Sequence, residues 1–141
     1  MIEIERAVEW AVDTLKADDG AGGVNTLAGG RIYSGRSAPP EATRPYVLVH
    51  GEPGEDLLGN GGRIWHAGTL VARGVAEGWS DLPALALADR IDGQLEGKRH
   101  QPAGSDATLV TCQRERSWRN EYIVAGIRFV ELGGRYRVAI Q

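Results

Sequence analysis

The N-terminal segment has the apolar spacing of an amphipathic helix. Residues 2–17, IEIERAVEWAVDTLKA, carry apolar side chains at intervals that return to one helix face. These are Ile4, Val8, Ala11 or Val12, and Leu15. Acidic residues stand in the first turn and Lys16 near the end, which suits the helix dipole. We therefore predict a helix over 2–17, with Gly20 as its C-terminal cap.

The next stretch alternates short apolar runs with segments rich in Gly, Pro and acidic residues, which are typical of turns and loops. In chain order the pattern predicts a connector at 25–30, a very short strand at Ile32-Tyr33, a Pro-containing loop at 34–45, a strand at Tyr46–Gly51 and a second loop at Glu52–Arg63. A loop as long as 34–45 is often a lid, a binding loop or a contact arm. Its role therefore bears directly on function.

Apolar and polar positions then alternate along a longer strand, residues 63–79. The alternation puts Ile64, His66, Gly68, Leu70 and Ala72 on one face, and Trp65, Ala67, Thr69, Val71 and Arg73 on the other. A helix follows, with Ser80 as its N-cap and Pro83 in its first turn. We expect this helix to end near Leu95 and to bury a stripe made of Leu85, Ala88, Ile91 and Leu95.

The C-terminal part predicts three strands. They are Ala107–Trp118, Glu121–Leu132 and a short edge strand Arg135–Ile140, the first two joined by a tight polar turn at Arg119-Asn120. Both faces of the middle strand are partly apolar. Ile123, Ala125, Ile127 and Phe129 share one face, and Tyr122, Val124, Gly126, Arg128 and Val130 share the other. Helices on one side alone would leave the second face polar, so we expect that face to meet another copy of the chain.

These elements predict an α/β fold of the α+β kind, with a mainly antiparallel sheet and two helices packed on one face. The chain has 141 residues, enough for one domain over 1–141 that buries roughly 68–70% of its unfolded surface. The net charge of −3 argues against broad affinity for nucleic acid. A local basic patch remains open, because Arg114, Arg116 and Arg119 cluster in the segment QRERSWRN, residues 113–120.

The histidines give no recognisable metal or catalytic motif. His50, His66 and His100 do not stand at the spacing of known metal-ligand motifs. Because His50 and His66 belong to consecutive predicted strands, they could come close, but neither neighbourhood clearly supplies the carboxylates of a metal site. We therefore predict no metal and no cofactor.

Other candidate motifs also fall short. Residues 59–63, GNGGR, lack the preceding strand and following helix of a phosphate-binding loop. None of the serines Ser34, Ser37, Ser80, Ser105 and Ser117 stands in a nucleophile elbow. Cys112 is the single cysteine, and its alternating surroundings indicate a buried strand thiol. With no leader and no long apolar run, the chain is expected in a reducing compartment and not in a membrane.

The order of features resembles that of small tail-terminator or tail-completion (tail-to-head joining) proteins of long-tailed phages. The segments that carry the resemblance are an N-terminal helix ending near Gly20, LAGGRIY at Leu27–Tyr33, Pro45–Val47, the pair Trp79-Ser80, LALADRIDGQLEG at Leu85–Gly97, and RFVEL at Arg128–Leu132. It covers about residues 5 to 140. Each motif is weak alone, and the specificity lies in their order and spacing.

The resemblance implies a structural role without catalysis. Such proteins assemble as homo-hexameric rings that cap the tail tube, stop its polymerisation and join it to the head connector. The implied partners are thus other copies of the chain, the tail tube protein and the connector protein, while DNA passes through the lumen without specific binding. The implied location is the tail or neck of the virion, after assembly in the host cytoplasm.

Two loops are the expected contact regions of such a ring. The first is an arm over residues 34–45, kept extended by Pro39, Pro40 and Pro45. The second is the loop Glu52–Arg63, in which two leucines are costly to leave in water. The candidate contact residues are Tyr33, Arg36, Pro39, Pro40, Leu57, Leu58 and Arg63. Glu52, Glu55 and Asp56 are the candidate charges of a lumen that repels phosphate.

Two alternatives stay open. One is a different neck component, such as a head-completion protein or connector adaptor, which also forms rings. The other is a small ligand- or metal-binding enzyme that uses His50, His66 and Glu52 in a pocket.

The ring and enzyme hypotheses predict different results for two variants. Under the ring hypothesis the double change Leu57→Asp and Leu58→Asp blocks assembly, because charges then replace apolar contacts, while His66→Ala alters stability at most. Under the enzyme hypothesis His66→Ala abolishes activity. Sedimentation of each purified variant measures assembly, and an intact oligomer in the double variant would show that the second loop makes no contact.

Overall fold

The computed structural model describes residues 2–58, 64–98 and 109–140. Within them the chain forms three helices and five strands. The helices are α1 (Ile2–Lys16), α2 (Val24–Leu27) and α3 (Leu82–Leu95). The strands are β1 (Ile32–Ser34), β2 (Tyr46–Leu58), β3 (Ile64–Glu77), β4 (Leu109–Val124) and β5 (Ile127–Ile140).

The strands form one sheet in the order β1-β2-β3-β5-β4. Only β1 and β2 run parallel, and every other neighbouring pair is antiparallel. A register shift between Pro53 and Asp56 bends β2. The predicted mainly antiparallel α+β fold is confirmed, and so are the two faces of β3.

Helices α1 and α3 pack on one face of the sheet, as predicted. The core between them contains Leu15, Val24, Val47, Val49, Leu70, Leu87, Ile91, Leu95, Tyr136 and Val138. Two glycines in the strands allow α1 and α3 to pack directly against the sheet. A Cβ at Gly51 would lie 2.7 Å from Cγ1 of Ile4, and one at Gly74 would lie 2.6 Å from Cβ of Leu87. Side chains there would push the helices off the sheet.

The opposite face, here called the open face, is partly covered by the chain itself. Tyr46, Leu48 and Val75 form a small buried cluster on it. Ala38 and Ala42 of the loop between β1 and β2 pack against this cluster, as does Tyr33. The apolar side chains in this part of the open face are therefore covered by Tyr33 and by the loop that follows β1.

The hairpin at the C-terminus differs from the predicted one. Strand β4 runs on through Arg119 and Asn120, and the turn lies at Ala125-Gly126, so the predicted polar turn is wrong. Arg119 faces the helices and approaches Asp81, while Asn120 faces the other way toward Glu131. Arg119 and Asn120 thus lie on opposite faces of β4, and each has a polar partner there. The predicted short strand Arg135–Ile140 is the end of β5.

Other boundaries also shift. The connector predicted at 25–30 overlaps α2, and most of the predicted second loop continues β2 to Leu58. The N-cap of α3 is Asp81, although Ser80 Oγ accepts the N–H of Leu82 at 3.2 Å. The buried stripe of α3 is Ala84, Leu87, Ile91 and Leu95, so Ile91 and Leu95 were placed correctly, whereas Leu85 is exposed and Ala88 only half-buried.

The β4–β5 turn provides a test of backbone strain. Ala125 has φ +51° and Gly126 has φ +77°, and both are exposed. A left-handed conformation costs alanine about 1–2 kcal/mol, and Asn tolerates it better at the first position of such a turn. We expect Ala125→Asn to raise the free energy of unfolding by about 0.5–1 kcal/mol.

The matched control is Gly126→Ala. An added Cβ meets nothing within 4 Å there, so any loss reflects the backbone alone, and we expect about 1 kcal/mol less stability. Urea denaturation measures both variants. Equal midpoints for Ala125→Asn and the wild type would contradict the strain argument.

Candidate assembly surfaces

A polar cluster occupies the middle of the open face, centred on Arg73. The Arg73 side chain is buried, and its guanidinium donates in three directions. Nε donates to Oε1 of Glu131 at 2.6 Å, Nη1 to Nδ1 of His50 at 2.9 Å, and Nη2 to the carbonyl of Arg36 at 2.8 Å. One side chain on β3 thereby connects β2, β5 and the loop 35–45.

The same cluster extends toward solvent through Glu52. Arg135 Nη2 donates to Glu52 Oε2 at 2.8 Å, and Arg36 Nη2 lies 3.7 Å from Oε1. This arrangement holds the pKa of Glu52 below its usual value, chiefly through the hydrogen bond from Arg135. His50 Nε2 lies 3.5 Å from Glu52 Oε1. Glu52 is therefore ionised and paired.

His50 acts in this cluster as a neutral acceptor. Because Arg73 donates to its Nδ1, the ring carries its proton on Nε2. Burial lowers the pKa of His50 first, and the nearby Arg73 and Arg36 lower it further. The geometry gives His50 a structural part in holding Arg73.

Aromatic rings contact Arg73 and Arg44, and the contacts of Arg44 hold the loop 35–45 against the sheet. The Arg73 guanidinium carbon lies 5.3 Å from the centroid of Trp118. Arg44, at the end of the loop, lies 4.2 Å from the Phe129 ring centroid and 5.6 Å from that of Tyr46. Cation–π contacts of this kind stabilise by about 0.5–2 kcal/mol each. The loop is thus held against the sheet by its own residues.

The predicted contact residues fall in different places. Tyr33 is half-buried, with its ring 5.9 Å from that of Tyr46, while Arg36, Pro39 and Pro40 are exposed on the outer side of the loop. Loop 35–45 thus lies along the sheet with Pro39 and Pro40 exposed, while the exposed Arg36 side chain extends toward Glu52. The side chains of Leu57 and Leu58, and the whole of Arg63, lie outside the described residues.

The predicted lumen charges also separate. Glu52 belongs to the polar cluster, Glu55 is exposed, and Asp56 interacts with His66 Nδ1 across the β2–β3 pair. Glu55 and Asp56 are both exposed on β2, and Asp56 is the one that interacts with His66.

The two strand histidines do not come together, so the pocket of the enzyme alternative, which needs both, is not formed. His50 pairs in register with Val71, five residues along β3 from His66, a separation of about 17 Å. They also face opposite sides of the sheet, since His66 shares its face with Leu70. In residues 2–58, 64–98 and 109–140, no three or more His, Cys, Asp or Glu side chains are placed to hold a metal ion. His100 lies outside these ranges.

Cys112 is the buried strand thiol that the alternation predicted. It is fully buried on the helix side of β4, and burial raises its pKa to about 12. Such a thiol stays protonated and unreactive at neutral pH.

An exposed apolar surface lies where the β4–β5 hairpin ends beside the start of α3. We call it the apolar end. Its members are Trp79, Leu82, Leu85, Tyr122, Ile123, Val124 and Ile127. The exposed fraction reaches 75% for Trp79 and 61% for Ile123. Sequence reasoning noticed the apolar run of the hairpin but placed its turn in the wrong position, and therefore missed this surface.

Charges beside the apolar end are paired with one another. Arg128 Nη2 lies 2.6 Å from Asp81 Oδ1 and 2.7 Å from Glu121 Oε2. Arg119 approaches the same two carboxylates at 3.4 and 3.3 Å. The hydrogen bond from Arg128 is the main cause of the lowered pKa of Asp81.

A cleft of about 710 Å³ opens at the other side of the molecule, between α1 and the edge of β2. We call it the acidic cleft. Val8, Val12 and Gly51 line it together with the carboxylates of Glu5, Glu9 and Asp13, and with Ser34, Gly35, Arg36 and His50. It begins where β1 stops, because β1 pairs only with residues 47–49 of β2.

Among the described residues, no helix is long and apolar enough to cross a membrane.

The fold has a solved counterpart. A chain in the structure of the virion of a native gene transfer agent (GTA) particle is similar to this one, with a TM-score of 0.68 and 21% sequence identity. The similarity covers 95% of this chain and 93% of that chain. No protein-family model matches the sequence, and no curated protein matches it.

The polar cluster predicts a pH dependence of stability. Because the pKa of folded His50 is lowered, the unfolded chain binds a proton that the folded chain does not. The contribution is complete above the unfolded value of about 6.5 and declines as pH falls below it. We expect urea midpoints to fall between pH 7 and 5, and His50→Gln to fall less over that range.

Three carboxylates titrate over a lower pH range than His50 does. Asp18, Glu52 and Asp81 have lowered pKa values, so the stability they contribute is lost only below about pH 4. Parallel pH profiles of wild type and His50→Gln between pH 7 and 5 would contradict the assignment.

Proposed function

We propose that this protein is a structural component of a phage-like virion. In the finer form of the proposal, it forms a homo-hexameric ring that caps the tail tube, ends tail polymerisation and joins the tail to the head connector. Its place is then the tail or neck of the particle, after assembly in the host cytoplasm. No catalytic step is part of this function.

The observation that carries the proposal is the likeness of the whole fold to a chain of the gene transfer agent virion. It extends over 95% of this chain and is not confined to a common supersecondary unit. It agrees with the resemblance of the ordered sequence motifs to tail-terminator proteins. Two independent lines, residue order and backbone geometry, thus favour the same class of particle.

The surfaces of the molecule suit assembly. The apolar end exposes large side chains at the tip of the hairpin and at the start of α3, and exposed apolar surface is typical of protein contacts. The residues that the enzyme alternative would place in a pocket, His50, His66 and Glu52, make structural contacts. His50 and Glu52 bind Arg73 and Arg135 in the polar cluster, and His66 interacts with Asp56.

The proposal of an acidic lumen now rests mainly on one of the three candidate carboxylates. Glu52 is neutralised by arginines, and Asp56 interacts with His66, so Glu55 is the member of the trio best placed to present an uncompensated charge. A negatively charged lining repels phosphate and lets DNA move through without specific binding.

Cryo-electron microscopy of assembled particles tests the function directly. We expect this chain as a six-fold ring on the last layer of the tail tube, in contact with the connector. A ring bound to the portal side alone would instead assign the chain to the adaptor class of neck proteins. Absence from purified particles would overturn the virion proposal and return attention to a ligand-binding role.

A further inference from the structure

We infer that protonation of His50 releases the start of the loop 35–45, residues 35–38, from the sheet, so that the loop is held near neutral pH and loosened in mild acid. The hydrogen bonds of Arg73 carry the inference. It goes beyond the virion role proposed above and does not depend on it. It also adds a local conformational change to the overall loss of stability that His50 causes in acid.

One guanidinium connects His50 to the loop. Arg73 Nη1 donates to Nδ1 of His50 at 2.9 Å, and Nη2 of the same group donates to the carbonyl of Arg36 at 2.8 Å. Nε donates to Glu131 at 2.6 Å. A guanidinium is planar and rigid, so its donors keep fixed directions relative to one another. A movement that displaces Nη1 therefore also displaces Nη2 from the loop.

A proton on Nδ1 of His50 is incompatible with this arrangement. Neutral His50 offers a lone pair to Arg73, whereas the imidazolium carries an N–H on each nitrogen. Two donors and two positive charges would then face each other at 2.9 Å. The imidazole has little room to turn, because His50 is only 5% exposed and its ring centroid lies 6.4 Å from that of Trp118. The conflict is relieved when Arg73 withdraws and leaves the Arg36 carbonyl.

Burial and two cations oppose the proton. Burial is the largest cause of the lowered pKa of His50, followed by Arg73 of β3 and then by Arg36 of the loop. Two of these causes come from the contacts that hold the loop. Release of the loop therefore lets the pKa of His50 rise toward its ordinary value.

Carboxylates around His50 favour the charged form but are already engaged or exposed. Glu52 Oε1 lies 3.5 Å from Nε2 of His50, while Oε2 of the same carboxylate accepts from Arg135 of β5 at 2.8 Å. The other carboxylate near the cluster, Glu131, binds Arg73. On the side of α1, the carboxylates that line the same cleft as His50 are exposed to solvent: Glu5, Glu9 and Asp13.

The direction of the pH effect follows from proton linkage. The pKa of His50 is lowered while the loop is held, and it returns toward about 6.5 when the loop opens. The open arrangement thus binds the proton more tightly, so opening becomes more favourable as the pH falls below about 6.5. A single proton raises the opening equilibrium by at most about tenfold for each pH unit, until the closed arrangement is itself protonated.

The remainder of the loop is held by other contacts. Arg44 lies over the Phe129 ring, with its guanidinium carbon 4.2 Å from the centroid. Ala42 packs against the small buried cluster of the open face. Neither contact includes His50. The released part is therefore residues 35–38, and Ala38 is the side chain that leaves the cover of the buried cluster.

Amide hydrogen exchange of the full chain, measured between pH 7 and 5 and corrected for the intrinsic exchange rate, tests the inference. The Gly35 N–H donates to the carbonyl of Val49 at 2.7 Å and reports on the start of the loop. The Ala42 N–H donates to the carbonyl of Pro39 at 2.9 Å and reports on its middle. We expect protection of Gly35 to fall several-fold over this range, while that of Ala42 changes little.

Low concentrations of urea separate this opening from global unfolding. A local opening exposes little surface, so the added exchange at Gly35 should not depend on urea, whereas exchange in the core of α3 should accelerate with it. Unchanged protection of Gly35 between pH 7 and 5 would overturn the inference. So would an acceleration at Gly35 that follows urea in step with α3.

Two glutamine variants form a matched pair. In His50→Gln the side-chain carbonyl accepts from Arg73 and gains no proton, so protection of Gly35 should no longer depend on pH. His66→Gln changes the other strand histidine, on the opposite face of the sheet, and should keep the full response. A response that persists in His50→Gln, or disappears in His66→Gln, would contradict the assignment to His50.

Arg36→Ala supplies a readout that a merely structural contact would not move. The Arg36 side chain is 69% exposed, and the variant keeps the backbone carbonyl that binds Arg73. It removes one of the cations that lower the pKa of His50, so the loop should open at higher pH than in the wild type. An unshifted pH midpoint would show that protonation of His50 does not drive the opening.

Discussion

The buried guanidinium of Arg73 is the interaction on which the arrangement of the open face depends. A cation in this position is stable only if its donors find acceptors, and removal of one partner from a buried ion pair costs about 3–5 kcal/mol. Arg73 obtains its acceptors from β2, β5 and the loop 35–45. The requirement therefore helps to fix strand register and loop position together, and it gives a polar face a single well-defined structure.

Much of the fold could be predicted from spacing, and the reasons for the errors are specific. The faces of β3 followed from its alternation because both neighbouring strands pair with it along most of its length. The hairpin turn was misplaced because Arg119 and Asn120 look like turn residues, although each has a polar partner on its own side of the sheet. Ala125, a poor residue for a left-handed turn, gave no signal.

The candidate surfaces were harder to predict than the elements. No local pattern indicates that Ala38 and Ala42 cover the open face, since small residues in a loop are compatible with many positions. The apolar end becomes visible only when Trp79 of one segment and Ile123 of another are brought together by the fold. The cleft likewise depends on where β1 ends relative to α1. Long-range contacts of this kind carry no periodicity in the sequence.

The isolation of Cys112 has a consequence for the virion role proposed above, in which the protein would leave its cell of origin. Within the cell reductants protect thiols, whereas outside it an exposed thiol forms mixed disulfides or oxidises further. This chain has one cysteine, sealed beneath the helices with its proton held tightly. A particle built with such subunits would pass from a reducing to an oxidising medium without a covalent change at this thiol.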